Sequence, residues 1–370
     1  MSLRRHSKEF RLLVAATKSP AEIVRFFKID GTGDELNWTL FLSLAQRHRV
    51  TGLVAANLLA VADQHDAGAA PPESIRRALQ DWRQKALLLE VRALAELKTV
   101  LRAFQDRGME PLLLKGLSMS HSAFDQLGLR HNRDIDLLVS ETEVDETQRL
   151  LGGIGFLRVE PAANASEALV KKWRDIKKDF VFMNPGTGAI VEVHWRLFDN
   201  PHLCPKAGAA SQKIVLFDQV ECNTLTDSEN FLYLCLHGGQ HAWSRLKWLA
   251  DVYWLIQKDP YTDIDAYCRN AVAAGYGNAI GQTMILLRDL YGQPLPAAGA
   301  DAAKRFGARL LALCARVTMT RGEAREIEDL WLGSTFKNLG HYFLTSKRQY
   351  LLAEMRDDIY EKLHFDARIG

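Results

Sequence analysis

Two aspartates separated by one residue, Asp134 and Asp136, open the apolar run Leu137-Leu138-Val139, and a later acid, Glu192, interrupts the apolar stretch Ile190-Val191-Glu192-Val193. Residues two apart on a strand point to the same face, so Asp134 and Asp136 project together while Ile135 and Leu137 turn toward a core. Carboxylates this close raise one another's pKa unless a cation lies between them. The hard divalent ion that suits such oxygens and accompanies phosphates is Mg²⁺, with Mn²⁺ as the alternative. By the same alternation Glu192 shares its face with Ile190 and His194. If its strand neighbours the aspartate strand, Asp134, Asp136 and Glu192 can hold two metal ions that clamp the attacking and leaving oxygens of an in-line displacement at phosphorus. Glu192 is then the best placed general base.

Other side chains could serve the same chemistry. Arg130 and Arg133 flank the aspartates; Arg130 either neutralises a phosphate or forms an ion pair that orders the 127–133 loop. His194 either contacts a phosphate or packs as a plain histidine. The basic segment Lys171 to Lys178 reads better as a solvated helix face than as a grip on triphosphate. His237 and His241 lie at i and i+4 on an expected helix, a zinc-compatible spacing, and Asp251 follows one helix later. Gly238-Gly239 stands where a hydrolase motif needs a glutamate, so a zinc hydrolase motif is absent. Trp243, Trp248 and Trp254 read as core between helices.

The elements that must position these residues follow from periodicity. Residues 1–108 are expected to be helical, with a helix from Asn37 to Val50 and an Ala/Gly/Pro-rich loop from Asp63 to Pro72. Pro72 opens a long helix whose apolar stripe runs Ile75, Leu79, Trp82, Ala86, Leu89, Ala93, Leu97, Val100 and Phe104, with Gly108 past its end. Residues 109–225 form an α/β core. It comprises a strand over Pro111 to Gly116, a helix over Leu117 to Gln126, a strand over Asp134 to Val139 and a helix over Glu141 to Leu151. A strand over Phe156 to Val159 follows, and then a hairpin turning at Asn184-Pro185-Gly186-Thr187-Gly188 between Phe180 and Trp195. From 226 to 370 the chain is helical again, opened by the capping box Thr226-Asp227-Ser228-Glu229, with helices to Ala242, from Arg245 to Gln257, and on to Arg368.

Bulk properties narrow the class. A chain of 370 residues, 47% apolar and 25% charged, is an ordinary folded one. Its net charge of +2 supplies no global field for nucleic acid or a membrane surface, so phosphate binding must be local. No stretch approaches the ~20 apolar residues of a membrane span, and Met1 to Glu9 lacks a signal peptide's apolar core. Five cysteines without a CxxC pair fit free thiols in a reducing compartment. The expected localisation is cytoplasmic.

Taken together, Leu112-Leu113-Leu114-Lys115-Gly116, Arg130, Asp134-Ile135-Asp136-Leu137-Leu138-Val139, Gly155-Phe156 and Glu192-Val193-His194-Trp195 resemble the motifs of the uncharacterised nucleotidyltransferase family. That family belongs to the DNA polymerase β-like nucleotidyltransferase superfamily. The likeness continues through Leu236-His237-Gly238, His241-Ala242-Trp243 and Leu246 to Val252, and it implies a supporting role for His237, His241 and Asp251 through polar contacts to the nucleotide or the catalytic sheet. The resemblance implies an α+β fold, a small mixed sheet flanked by N-terminal and C-terminal helical regions, with Asp134, Asp136 and Glu192 as metal ligands. Where the superfamily has a Gly-Ser turn for the triphosphate, this chain has Lys115-Gly116, with Ser118 two residues on. Gly116 still lets the backbone approach a phosphate, the helix N-terminus after it favours anions, and Lys115 brings a full charge in place of the hydroxyl. The implied activity is transfer of NMP from an NTP, ATP being the expected donor, to an acceptor hydroxyl with release of pyrophosphate. The acceptor is a small molecule, a peptide or a protein rather than nucleic acid. The alternatives are a nucleotide-binding module without turnover and a phosphotransferase using the same metals.

Overall fold

Seven strands carry the chemistry-bearing segment: β1 (Leu112–Leu113), β2 (Ile135–Leu138), β3 (Leu157–Glu160), β4 (Asp179–Met183), β5 (Ile190–His194), β6 (Ser211–Leu216) and β7 (Val220–Leu225). In a computed structural model that describes residues 6–30, 36–63, 69–205, 208, 210–258, 263–320, 324–326, 335 and 340–364, they form one mixed sheet in the order β3-β4-β5-β2-β1-β7-β6. β2 runs parallel to β5 and antiparallel to β1, and β1 runs parallel to β7. The hairpins β4–β5 and β6–β7 are antiparallel. One face buries Ile135, Leu137, Phe180, Phe182, Val191 and Val193, each at most 4% exposed. The other carries the acids.

Contacts divide the chain into two compact units. One comprises Met1–Glu90, Met119–His131 and Phe231–Thr345; the other comprises Val91–Ser118, Asn132–Asn230 and Ser346–Gly370 and holds the sheet. The first is helical. Helices such as Lys8–Ala16, Trp38–Arg47, Thr51–Asp63, Leu246–Lys258 and Gly277–Leu286 gather a core around Leu12, Leu13, Phe41, Val54, Trp243 and Leu249. The Asn37 side chain caps Trp38–Arg47 by accepting from the Leu40 N–H. No described helix is long and apolar enough to cross a membrane, and all five cysteines are free thiols.

The long helix spans Glu73–Gln105, directly after Pro72 as expected, while residues 64–68 of the preceding loop lie outside the described residues. Its stripe needs one correction. Leu79, Leu97, Val100 and Phe104 are buried, but Leu89 is exposed along with Leu87, Leu88 and Val91, and Glu90 is buried instead. The Glu90 carboxylate accepts from the Ser120 hydroxyl and from the Gly128 N–H. Two such bonds satisfy a buried charge and turn that side of the helix inward.

Other boundaries shift for local reasons. The helix after Thr226 ends at Gln240 rather than Ala242, because Ala242 and Trp243 adopt positive φ of 46° and 51°. Its cap forms as read, the Glu229 N–H donating to the Thr226 hydroxyl at 3.4 Å. β1 is two residues long where a strand over 111–116 was expected, the chain leaving it for the turn at Gly116. The hairpin β6–β7 was not anticipated at all. The expected helices beyond 320 fall partly on residues 321–323, 327–334, 336–339 and 365–370, outside the described residues; Arg348–His364 is helical.

Candidate active site

The parallel register of β2 and β5 sets Asp136 opposite Glu192 and Leu138 opposite His194. Across the hairpin, Asp179 lies opposite His194. Alternation therefore delivers Asp136, Glu192, His194 and Asp179 to one face from three adjacent strands. Each is held there because its neighbours in sequence, Ile135, Leu137, Phe180, Val191 and Val193, are locked into the core on the opposite face.

His194 is the centre of the group. Its Nε2 lies 3.2 Å from Asp136 Oδ1, 3.3 Å from Glu192 Oε2 and 3.7 Å from Asp179 Oδ2. The side chains of Asp136 and His194 are wholly buried and that of Glu192 is 21% exposed. Two lysines bring opposing charge: Lys115 Nζ lies 3.0 Å from Asp136 Oδ1, and Lys178 pairs with Asp179.

These contacts decide the protonation. Burial pushes the Asp136 carboxyl up, but the Lys115 ammonium and the His194 hydrogen bond outweigh it and hold it well below the usual carboxylate range. Burial raises Glu192, and with the Asp136 charge it prevails over the lowering contact of His194. For His194, burial and Lys178 push down, yet the hydrogen bonds to Asp136 and Glu192 and the charge of Asp179 pull its pKa above the ordinary value. Asp179 sits below its ordinary value, burial being outweighed by His194 and Lys178.

Among the described residues, the group with metal-ligand spacing is Asp136, Glu192 and His194, whose ligand atoms all lie within 4.8 Å of one another. Asp136 Oδ2 and His194 Nδ1 are buried without a hydrogen-bond partner, and a buried carboxylate oxygen in that state is a ready donor to a cation. The residues present fit a divalent ion. Asp134 precedes β2, half-buried, and is not in this group.

The remaining candidates are distributed as follows. Gly116 has φ +77°, the left-handed conformation that glycine adopts without strain. The buried Ser118 hydroxyl donates back to the Leu114 carbonyl, and Arg133 is exposed. Arg130 belongs to the helical unit, where its Nε and Nη2 donate to the two carboxylate oxygens of Asp251, each at 2.9 Å. This is the ion-pair alternative, and both side chains are buried. His237 and His241 form no metal group with Asp251 among the described residues. Their rings meet edge to face at 4.7 Å, and His241 stacks on Trp248 at 4.7 Å and 18°.

Two site residues escaped the sequence reading. Asp179 was excluded by starting the strand at Phe180, although the same alternation places it on the Glu192 and His194 face. Lys178 was assigned to a solvated helix, but the helix Glu167–Ile176 ends before it, and Lys178 turns to Asp179.

A family model described as uncharacterised nucleotidyltransferase matches residues 34–292, and no curated protein matches the chain.

Proposed function

Since the chain belongs to the uncharacterised nucleotidyltransferase family, we propose that it transfers NMP from an NTP to an acceptor hydroxyl and releases pyrophosphate. The single observation that carries this reading is the β2–β5 register, which sets Asp136 against Glu192 with His194 one step along. Asp136 and Glu192 are the proposed ligands of Mg²⁺ (or Mn²⁺, which accepts an imidazole such as His194 more readily), and Asp134 is the proposed further carboxylate. When bound, the ion neutralises charge developing on the phosphate oxygens.

The chain's own groups supply the rest. Glu192, with its raised pKa, accepts the proton of the attacking hydroxyl. The acceptor oxygen bonds to the α-phosphorus, the bond from that phosphorus to the bridging oxygen breaks, and pyrophosphate leaves with the electron pair. Lys115 holds Asp136 ionised before the cation arrives and is then placed to meet a phosphate. Gly116 keeps the backbone of that turn open to the nucleotide.

The test is thermal unfolding with ATP, GTP, CTP or UTP, each with and without Mg²⁺, on the wild type, Asp136→Asn and Glu192→Gln. A ligand at 100 times its dissociation constant adds about 2.7 kcal/mol, so one nucleotide should raise Tm by several degrees only with Mg²⁺. Both variants should lose that shift. Asp136→Asn also leaves Lys115 and His194 without their buried partner, at a cost of about 3–5 kcal/mol, whereas the more exposed Glu192→Gln should fold normally. A shift retained in Glu192→Gln, or a γ-labelled rather than α-labelled product from labelled NTP, would overturn the reading.

A further inference from the structure

Where β2 and β5 end lies a cavity of about 680 Å³, within the 300–1,000 Å³ range of small-molecule sites. Its walls include Leu112, Leu138, Trp195 and Leu203, and its rim includes Glu110 and Glu141. Leu138 ties it to the cluster. It follows Asp136 by two residues, about 7 Å along a strand, and lies opposite both His194 and Leu112. Trp195 directly follows His194.

The chemistry of the lining selects an occupant. Glu110 and Glu141 are exposed at the rim and disfavour a polyphosphate. The basic side chain among the described lining residues, Arg196, donates to the backbone carbonyls of Asp199 and Asp175, each at 3.1 Å. Trp195 adds apolar surface only: it is 8% exposed, and its ring packs edge to face on Phe180 at 4.9 Å, toward the core. We infer that this cavity is the acceptor subsite, and that the acceptor is a small molecule with an apolar body, a hydroxyl and either no charge or an amine. The inference rests on the transfer reading above and names its acceptor class. Seated there, the acceptor presents its hydroxyl to the acid cluster, gives its proton to Glu192 and takes the nucleotidyl group.

Three probes with closely similar bodies test it: phenethylamine, phenethyl alcohol and phenylacetate, followed by saturation-transfer NMR on the full chain. The amine and the alcohol should bind and phenylacetate should not. Leu138→Trp, which fills the cavity, should abolish amine binding. Glu141→Lys, an exposed rim change that leaves the core alone, should invert the preference toward phenylacetate. Phenylacetate binding to the wild type as well as the amine does, or amine binding unchanged in both variants, overturns the inference. Phenethylamine bound through the cavity with no nucleotide-dependent Tm shift supports the cavity and overturns the transfer reading. A nucleotide shift without cavity-dependent probe binding overturns the acceptor subsite alone.

Discussion

His194 concentrates the site's electrostatics, and its proton is the quantity to follow. Its pKa is raised above 6.5 by Asp136, Glu192 and Asp179, so the folded chain holds that proton more tightly than the unfolded one. Below pH 6.5 the resulting stability is fully present; it is lost as pH rises through the folded value. Urea unfolding in EDTA, repeated from pH 6 upward, should show stability falling with pH, and His194→Gln should flatten that slope. An unchanged slope in the variant would remove His194 from the balance. Asp136 and Glu192 were legible in the sequence because strand alternation is a local rule, and their pairing needed only that two strands be neighbours. The ion pairs of Lys115 and Lys178 were not legible. A lysine's partner depends on which strand comes next and in what register, and a run of basic residues reads as solvated until the helix is seen to end at Ile176.

At the scale of elements, the turn after β1 is the most constrained. Gly116 sits at φ +77°, and a Cβ there would meet the Asp134 carbonyl oxygen at an ordinary 3.5 Å. The cost of Gly116→Ala is therefore conformational rather than steric, about 1–2 kcal/mol, and urea denaturation should read it as a lowered midpoint with an unchanged m-value. The β4–β5 hairpin was readable from its Asn-Pro-Gly-Thr-Gly turn and flanking apolar alternation. The β6–β7 hairpin was hidden because its turn lacks that chemistry: Phe217 and Asp218 take φ of 47° and 57°, positions where Asn-Gly is the usual signal. β6 also alternates exposed residues with partly buried ones until its last position, a pattern close to that of a loop. The long helix misled in its middle for a different reason. The burial of Glu90 depends on acceptor bonds from Ser120 and Gly128, which no helical periodicity encodes.

For the whole molecule, the decisive feature is that neither compact unit is continuous in sequence; the chain passes between them at 90/91, 118/119, 131/132, 230/231 and 345/346. A fragment of residues 109–225 contains every described strand and every proposed metal ligand, yet it lacks the rest of the sheet's own unit, Val91 to Gly108, Thr226 to Asn230 and Ser346 to Gly370. Expressed alone it should show no cooperative thermal transition by circular dichroism, while the full chain does; a sharp transition would mean the sheet is self-sufficient. The helical and mixed-sheet classes were legible because periodicity changes visibly near residues 110 and 226. The interleaving was not, since it follows from contacts between segments hundreds of residues apart. During synthesis the same arrangement imposes an order. The sheet's last strand emerges by Leu225, but the helices from Lys8 to Asp63 must wait for residues up to Thr345 to complete their core. At about 5–20 residues per second, that leaves these helices with only one another to pack on for tens of seconds of synthesis, their remaining apolar faces waiting for partners not yet made.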